Sequence, residues 1–308
     1  MPGDAVRPLA LIVVSYASAA LLAQHLLRTV ASVRPEHVVV VDNRSTDAER
    51  AAVRRLADAH DWVLIAPAAN LGFGGGVNAG VAAARALGAR DLLVLNPDAH
   101  IDAASVGALR AAADADGLAM LAPVIRDADG GTWFAGADLY LDDGATRSRA
   151  QRGRFAGAER WEWLSGACLW IPEEAWELTG GFDEDYFLYW EDVDLSRRLV
   201  ERGGRIRVVP EAVAVHDEGG THRDAGQRGR AKSSVYYYFN IRNRMLFAVK
   251  HLDRSGVARW RSQLLPSARE VLLRGGRRQL LRSTLPVRAA WRGVADARRI
   301  VRNASPRP

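Results

Sequence analysis

Six apolar residues in succession, Leu9-Ala-Leu-Ile-Val-Val14, begin the regular part of the chain. A β-prone run of that kind reads as a strand buried on both faces, as in a parallel sheet. The rhythm then repeats. Ala19 to Val33 has helical spacing, His37 to Val41 is a second buried strand, a helix runs to about His60, and Trp62 to Ala66 is a short strand. A helix through Leu87 leads to the strand Asp91-Leu-Leu-Val-Leu95. A helix over Ala103 to Ala115 and a strand over Met120 to Ile125 follow. This alternation predicts an α/β fold with a doubly wound, mostly parallel sheet and flanking helices. Such sheets bind ligands beyond the carboxyl ends of their strands. Ser15, Asp42 and Asn43 fall there.

The second half is less regular. Trp133 to Tyr140 reads as a hairpin strand, and Asp142 to Gly157 as a polar, mobile loop. Trp161 to Ile171 reads as one strand with a Ser165-Gly166-Ala167 break near its start. Glu173 to Leu178 is a short helix, and a second helix starts at Glu191 and stops near Gly203-Gly204. Arg205 to Val209 and Val213 to His216 read as two strands, and Ser233 to His251 as an aromatic-rich helix. Residues 256–308 form two or three Arg-studded apolar segments. The expected division is a catalytic domain over 1–250 and a basic amphipathic helical tail over 251–308.

Charge sharpens that division. The net charge is +6, but residues 254–308 hold fourteen Arg against only Glu270 and Asp296. The rest of the chain is therefore mildly acidic. A basic tail suits an anionic membrane surface or nucleic acid; the acidic body and the lack of a recognition module argue against nucleic acid. An alternative for the apolar tail positions is a helical cap with a solvated Arg face. The single cysteine, Cys168, excludes an internal disulfide and suits a reducing compartment. The first apolar run is too short for a secretion signal, and no run approaches the roughly 20 residues of a membrane span. The expected location is cytoplasmic, peripheral at most on the inner face of the membrane.

Candidate chemistry lies in four places. Asn70-Leu-Gly-Phe-Gly-Gly-Gly-Val-Asn78 exposes backbone N–H groups to a ligand or else makes a tight helix start. Its glycines formally fit a nicotinamide-type fingerprint, but after the wrong strand, which leaves an oxidoreductase as the weaker alternative. Asn96-Pro97-Asp98 is either a local turn or a carboxylate that holds a divalent cation against a diphosphate. His216, just past a strand, is structural unless Asp98 joins it. Glu191, Asp192 and Asp194 open a helix behind Tyr186-Phe-Leu-Tyr-Trp190. They are N-terminal capping carboxylates or include a general base.

The order of these pieces, with Val14-Ser-Tyr16, Val41-Asp-Asn-Arg-Ser-Thr-Asp47, Ser165-Gly-Ala167 and Gly180-Gly-Phe-Asp183, resembles glycosyltransferase family 2, most closely its bacterial rhamnosyltransferase-like branch, over roughly residues 8–250. The resemblance implies a GT-A fold and inverting transfer from a nucleotide sugar. Asp192 would be the general base, with Glu191 the less favoured choice. Ser15, Tyr16, Asp42, Asn43, Asn70, Gly72, Asn78, Asn96, Asp98 and Arg244 would hold the nucleotide sugar, with Asn243 and Arg244 reaching the diphosphate. Ser165, Gly166, Ala167 and Trp190 would line the sugar or acceptor pocket. Asp98 and His216 would bind Mg or Mn. The implied donor is dTDP-rhamnose before UDP-linked hexoses. The implied acceptor is a glycan or a polyprenyl-diphosphate-linked sugar of cell-envelope polysaccharide synthesis.

Overall fold

The computed structural model describes residues 7–217, 232–281 and 283–304. β1 (Leu9–Ser15) is buried at every position. It takes the centre of a parallel group, with β2 (His37–Asp42) on one side and β4 (Asp91–Leu95) on the other. β3 (Val63–Ile65) continues the group beyond β2. The intervening helices cover its faces. α1 (Ala19–Leu21) passes through a π turn, Leu22–Leu26, into α2 (Leu27–Val33). α3 (Asp47–Ala59) starts where Thr46 accepts from the Glu49 N–H, a capping interaction legible in the sequence. α4 (Gly72–Ala86) packs on β1 and β2.

Beyond β4 the sheet reverses. β5 (Ala99–Ile101), α5 (Ala103–Asp114) and β6 (Ala119–Arg126) come first. The full strand order is β3-β2-β1-β4-β11-β6-β12-β5, with β7 (Thr132–Phe134) on β6. β11 (Cys168–Pro172) runs antiparallel to both β4 and β6, and β12 (Arg205–His216) runs parallel to β6. The two strands expected over 205–216 are thus one, bent by an irregularity between Val209 and Val213. Pro210 breaks the apolar run there and made one strand look like two.

Residues 132–163 depart most from expectation. The supposed strand over 133–140 is two: β7 joins the main sheet, while β8 (Ala137–Tyr140) joins a second one. Gly136, at a φ of +91°, turns the chain between them. The second sheet has the order β10-β8-β9, with β9 (Thr146–Ser148) and β10 (Arg160–Trp163). The stretch 142–157, expected as a mobile loop, is therefore folded. A turn of 3₁₀ helix, Arg149–Phe155, presents Arg152, whose guanidinium donates at 2.7 and 2.6 Å to the fully buried Asp138. Polar composition concealed this segment because its order comes from ion pairs rather than apolar periodicity. The strand expected over 161–171 divides likewise into β10 and β11, with residues 164–167 between them.

α6 (Glu173–Thr179) and α7 (Glu191–Glu201) follow, then α8 (Ser234–His251), α9 (Arg254–Ser262), α10 (Leu264–Leu273) and α11 (Leu285–Asn303). α8 lies on both sides of the expected boundary at 250. The later helices form one apolar cluster with α8, α7 and the second sheet, uniting Trp190 and Val193 with Tyr237, Phe247, Trp260 and Val294. Trp260 is fully buried; a side chain of that size contributes roughly 3 kcal/mol when removed from water. Residues 282 and 305–308 of the expected tail lie outside the described residues.

Candidate active site

The start of α7 sets three carboxylates within one helical turn, and each meets a different environment. Asp194 is fully buried. Burial opposes its ionisation, but the His251 imidazole at 2.7 Å and Arg198 at 2.7 Å outweigh that and hold its pKa below the usual carboxylate range. Glu191 is buried without such partners, and its Oε2 accepts no hydrogen bond among the described residues. Desolvation, and then the neighbouring Asp192, push its pKa well up, which favours its neutral form. Asp192 keeps a partly open edge. Burial raises its pKa to about 6, opposed by backbone N–H donors. Those of Gly166 and Val193 reach Oδ2 and Oδ1 at 3.0 and 2.8 Å. Of the three, only Asp192 is ionised at neutral pH, accessible and free of a cationic partner.

The loop before α7 is held in an unfavourable conformation. Phe187, Tyr189 and Trp190 have φ of 61°, 65° and 77°, a region that costs L-residues roughly 1–2 kcal/mol each. Two clamps hold it. The Asn243 amide on α8, fully buried, donates toward the carbonyls of Tyr186, Leu188 and Tyr189 at 2.8, 2.9 and 2.7 Å. On the other side the Phe73 N–H donates to the Phe187 carbonyl at 2.8 Å. A Cβ on Gly72 would collide with that same carbonyl oxygen. Gly74, Gly76 and Gly80 abut Phe182, Val14 and Ile12, where a Cβ would come within 2.8, 2.8 and 2.6 Å. The glycines let α4 pack closely on β1 and on the loop segments at Phe182 and Phe187.

Strand ends gather the remaining expected groups. Ser15 pairs with Asp42 across β1 and β2. Arg50 binds Asp42 Oδ2 at 2.6 Å, while Oδ1 is buried and accepts no hydrogen bond among the described residues. Ser15 Oγ meets Ser18 Oγ at 2.9 Å, and Tyr16 stands exposed beside them. Asp98 and His216 lie 3.1 Å apart, Oδ1 to Nε2, with the Asn96 amide 3.5 Å from the same imidazole nitrogen. The Trp133 ring, which no sequence pattern singles out, covers His216 at 4.6 Å. No three His, Cys, Asp or Glu side chains converge as a complete metal cage among the described residues. One carboxylate and one imidazole fit a cation that takes its remaining ligands from substrate phosphate and water.

One short segment joins the two sides. The Gly166 N–H holds Asp192, and the next carbonyl, of Ala167, accepts from the Asn96 N–H at 2.9 Å. Asp98 and Asp192 therefore flank residues 165–167, where Ser165 Oγ accepts from the Ala167 N–H at 3.3 Å.

Several expected ligand groups are occupied internally. Asn43 donates to the Gly72 carbonyl and accepts from the Leu71 N–H; Asn70 accepts from the Gly72 N–H. Asn78 donates to Phe182 O and Glu184 and accepts from the Phe182 N–H. These three build the loops. Asn243 and Arg244 depart furthest from their expected reach to a diphosphate. Arg244 is buried, donates to the carbonyls of Trp260 and Asp143 at 3.1 and 2.7 Å, and lies over the Trp260 ring. Burial lowers its pKa to about 10. Trp190 is packed against Phe247 and Trp260. Sequence order could not separate these clamps from ligand contacts, because both call for Asn and Arg beside glycine and aromatics.

The fold is that of the GT-A glycosyltransferases. Residues 7–232 match the family described as "Glycosyltransferase like family 2", and the chain belongs to glycosyltransferase family 2. It is 32% identical over 246 residues, 70% of this chain and 79% of the relative, to an N-acetylglucosaminyl-diphospho-decaprenol L-rhamnosyltransferase of Mycobacterium tuberculosis. A dTDP-rhamnosyl transferase RfbF of Shigella flexneri is 23% identical, covering 70% of this chain and 71% of that one. The fold matches a mannosyltransferase of Pyrobaculum calidifontis in complex with GDP-Man and Mn²⁺ (TM-score 0.55, 17% identity, 97% of this chain and 86% of that one). It also matches GalNAc-T7 with UDP, GalNAc and Mn²⁺ (TM-score 0.57, 15% identity, 85% and 55%).

Proposed function

We propose that this chain transfers L-rhamnose, with inversion, from dTDP-rhamnose to a hydroxyl of a polyprenyl-diphosphate-linked sugar. The observation that carries the reading is residues 165–167, which link a carboxylate with a pKa of about 6 to the Asp98–His216 pair. The acceptor hydroxyl attacks the anomeric carbon as Asp192 takes its proton. The bond from that carbon to the diphosphate oxygen breaks, and the nucleotide diphosphate leaves with the electron pair. No protein nucleophile is needed. Gly166 and Val193 aim the Asp192 carboxylate, and neutral Glu191 adds no competing charge beside it. Ser15, Tyr16 and Asp42, whose buried Oδ1 accepts no hydrogen bond among the described residues, serve the nucleoside. Asp98 and His216 would hold a Mg²⁺ or Mn²⁺ that, when bound, neutralises charge on the leaving diphosphate. The mycobacterial relative supports the sugar and the acceptor class.

The test is Asp192→Asn, assayed with dTDP-rhamnose and a GlcNAc-diphosphate-polyprenol, with product stereochemistry read by NMR. Transfer is expected to fall by roughly 10²–10⁴, with dTDP-rhamnose affinity, read by calorimetry, held within twofold. Near-normal turnover would remove Asp192 as the base. Retained anomeric configuration would remove the single displacement.

A further inference from the structure

Among the tail helices, α9 and α10 enclose with α11 a groove of about 590 Å³. Its lining includes Arg261, Arg298, Arg302, Leu264, Leu265 and Ala295. The three guanidinium groups make no hydrogen bond or ion pair among the described residues, unlike Arg299, which pairs with Asp296 at 2.9 Å. Like charges converging on a cavity without counter-charge repel one another, so the groove is poised for an anion. It is also partly apolar. Leu265 is 46% exposed at its rim, and Trp291, 60% exposed, lies on the same stripe of α11 as Ala295, Arg298 and Arg302 at spacings of four, three and four. Leu285, 57% exposed, stands at the start of that helix. The inward face of α11, with Ala290, Val294 and Ala297, is already packed in the shared cluster. The outward apolar residues therefore have no core to fill.

We propose that this groove seats the phosphate of an anionic phospholipid, and that α11 docks the chain on an anionic bilayer with Trp291 and Leu265 at the headgroup level. Arginine matches phosphate in both charge and donor geometry, and an exposed Trp beside basic residues suits the interface. No helix among the described residues is long and apolar enough to cross a membrane, so attachment is peripheral. The placement has a use. α11 packs along α8, where Gly293 abuts the Tyr238 carbonyl and Tyr238 Oη donates to Asp296 at 2.6 Å. α8 in turn carries Asn243, which fixes the loop ahead of Asp192. The docking face is thus built onto the base side of the cleft, the side a lipid-linked acceptor approaches. The proposal extends the reading of a lipid-linked acceptor and is tested apart from it.

The experiment is sedimentation of the full chain with vesicles of phosphatidylcholine alone or with one-third phosphatidylglycerol. Binding to the anionic vesicles only is expected. Arg261→Gln/Arg298→Gln/Arg302→Gln should weaken it by about 10²-fold, since each Arg near an anionic surface contributes roughly a factor of five. Trp291→Ala should weaken it without changing its salt dependence. Millimolar inorganic phosphate should not displace the protein; displacement would make the groove a site for free phosphate and overturn the lipid assignment. Equal vesicle binding by the triple variant, or retention on DNA without retention on vesicles, would overturn it also. Transfer to a water-soluble, short-chain acceptor reads the catalytic proposal separately and should be unchanged in the triple variant. The thermal midpoint of that variant should match the parent, confirming that it folds.

Discussion

Removing the Asn243 amide tests how the base is positioned. Asn243→Ala deletes two N–H donors that satisfy three carbonyls, those of Tyr186, Leu188 and Tyr189, at 2.7–2.9 Å. Each buried acceptor left unpaired costs about 1–3 kcal/mol. Two N–H groups serve two carbonyls well at any moment, and water admitted to the vacated space recovers part of the loss. The net destabilisation is then about 2–4 kcal/mol. For a chain of this size 1 kcal/mol moves the midpoint by roughly 2–4 °C, so a fall of about 5–12 °C is expected by calorimetry. The loop also has three non-glycine residues at positive φ, and without the clamp it relaxes toward ordinary conformations. A base displaced by about 1 Å loses roughly 10²-fold in rate, so kcat should fall at least tenfold. KM for the nucleotide sugar should stay within twofold, because Ser15 and Asp42 end β1 and β2 and Asp98 lies in the turn between β4 and β5, away from the clamped loop. Asn243→Asp keeps the size but replaces the donor with a third kind of oxygen facing carbonyls, and should be at least as harmful. A midpoint within 1 °C and kcat within twofold of the parent, or a benign Asn243→Asp, would refute the clamp.

Two further perturbations read neighbouring parts. Because the Asp192 pKa is raised to about 6, kcat/KM should fall about tenfold per pH unit below that value, measured as a pH–rate profile. The raised pKa makes the folded state gain stability as pH falls from about 6 toward the ordinary carboxylate value near 4, whereas the depressed Asp194 pKa costs stability only on further acidification. The buried His25 and His100, whose pKa values burial lowers, pull the other way in that range, so activity should drop between pH 7 and 5 far more steeply than the thermal midpoint; parallel losses would point to unfolding instead. Gly72→Ala combines a positive φ of 75° with a collision at the Phe187 carbonyl, and should destabilise by about 2–4 kcal/mol in urea titration; a change under about 0.5 kcal/mol would show that the loop yields freely.

The parallel group was legible because each strand is a short apolar run ending in polar residues: Ser15, Asp42 and Asn96 mark those ends without ambiguity. The Asp98–His216 pair was legible too, though 118 positions separate them, because each lies at the end of an apolar strand run: Asp98 in the turn after β4, His216 as the last residue of β12 beside β5. What the sequence hid is packing at close range. Gly72 to Gly80 have the composition of a phosphate cradle and of a tightly packed helix equally, and only the positions of Val14, Ile12 and Phe187 distinguish the two. Asn78 and Asn243 were read as ligand groups because nothing local shows that the loops at 182 and 186–189 lack donors. The second sheet was invisible for a related reason: it is held by Arg152 on Asp138 and by Arg147 on Asp143, contacts that hydrophobic periodicity does not register.

The three acidic residues at the start of α7 meet environments that leave one of them, Asp192, suited to the proposed role of base. Three carboxylates this close could not all ionise without mutual repulsion. The chain separates them by giving one a cation pair and another only apolar surroundings. Asp194 ties α7 to α8 through His251, and Glu191 fills the interior as a neutral group. The Asp194 contact depends on α8, which follows residue 233. The position of Asp192, its neutral neighbour and the face that would meet a bilayer are therefore consequences of the same packing, α8 against the loop at 186–190 and α11 against α8. On the proposed reading, the basic helices after residue 251 would belong to the acceptor half, whereas the first strands, with His216 of β12, would build the donor half.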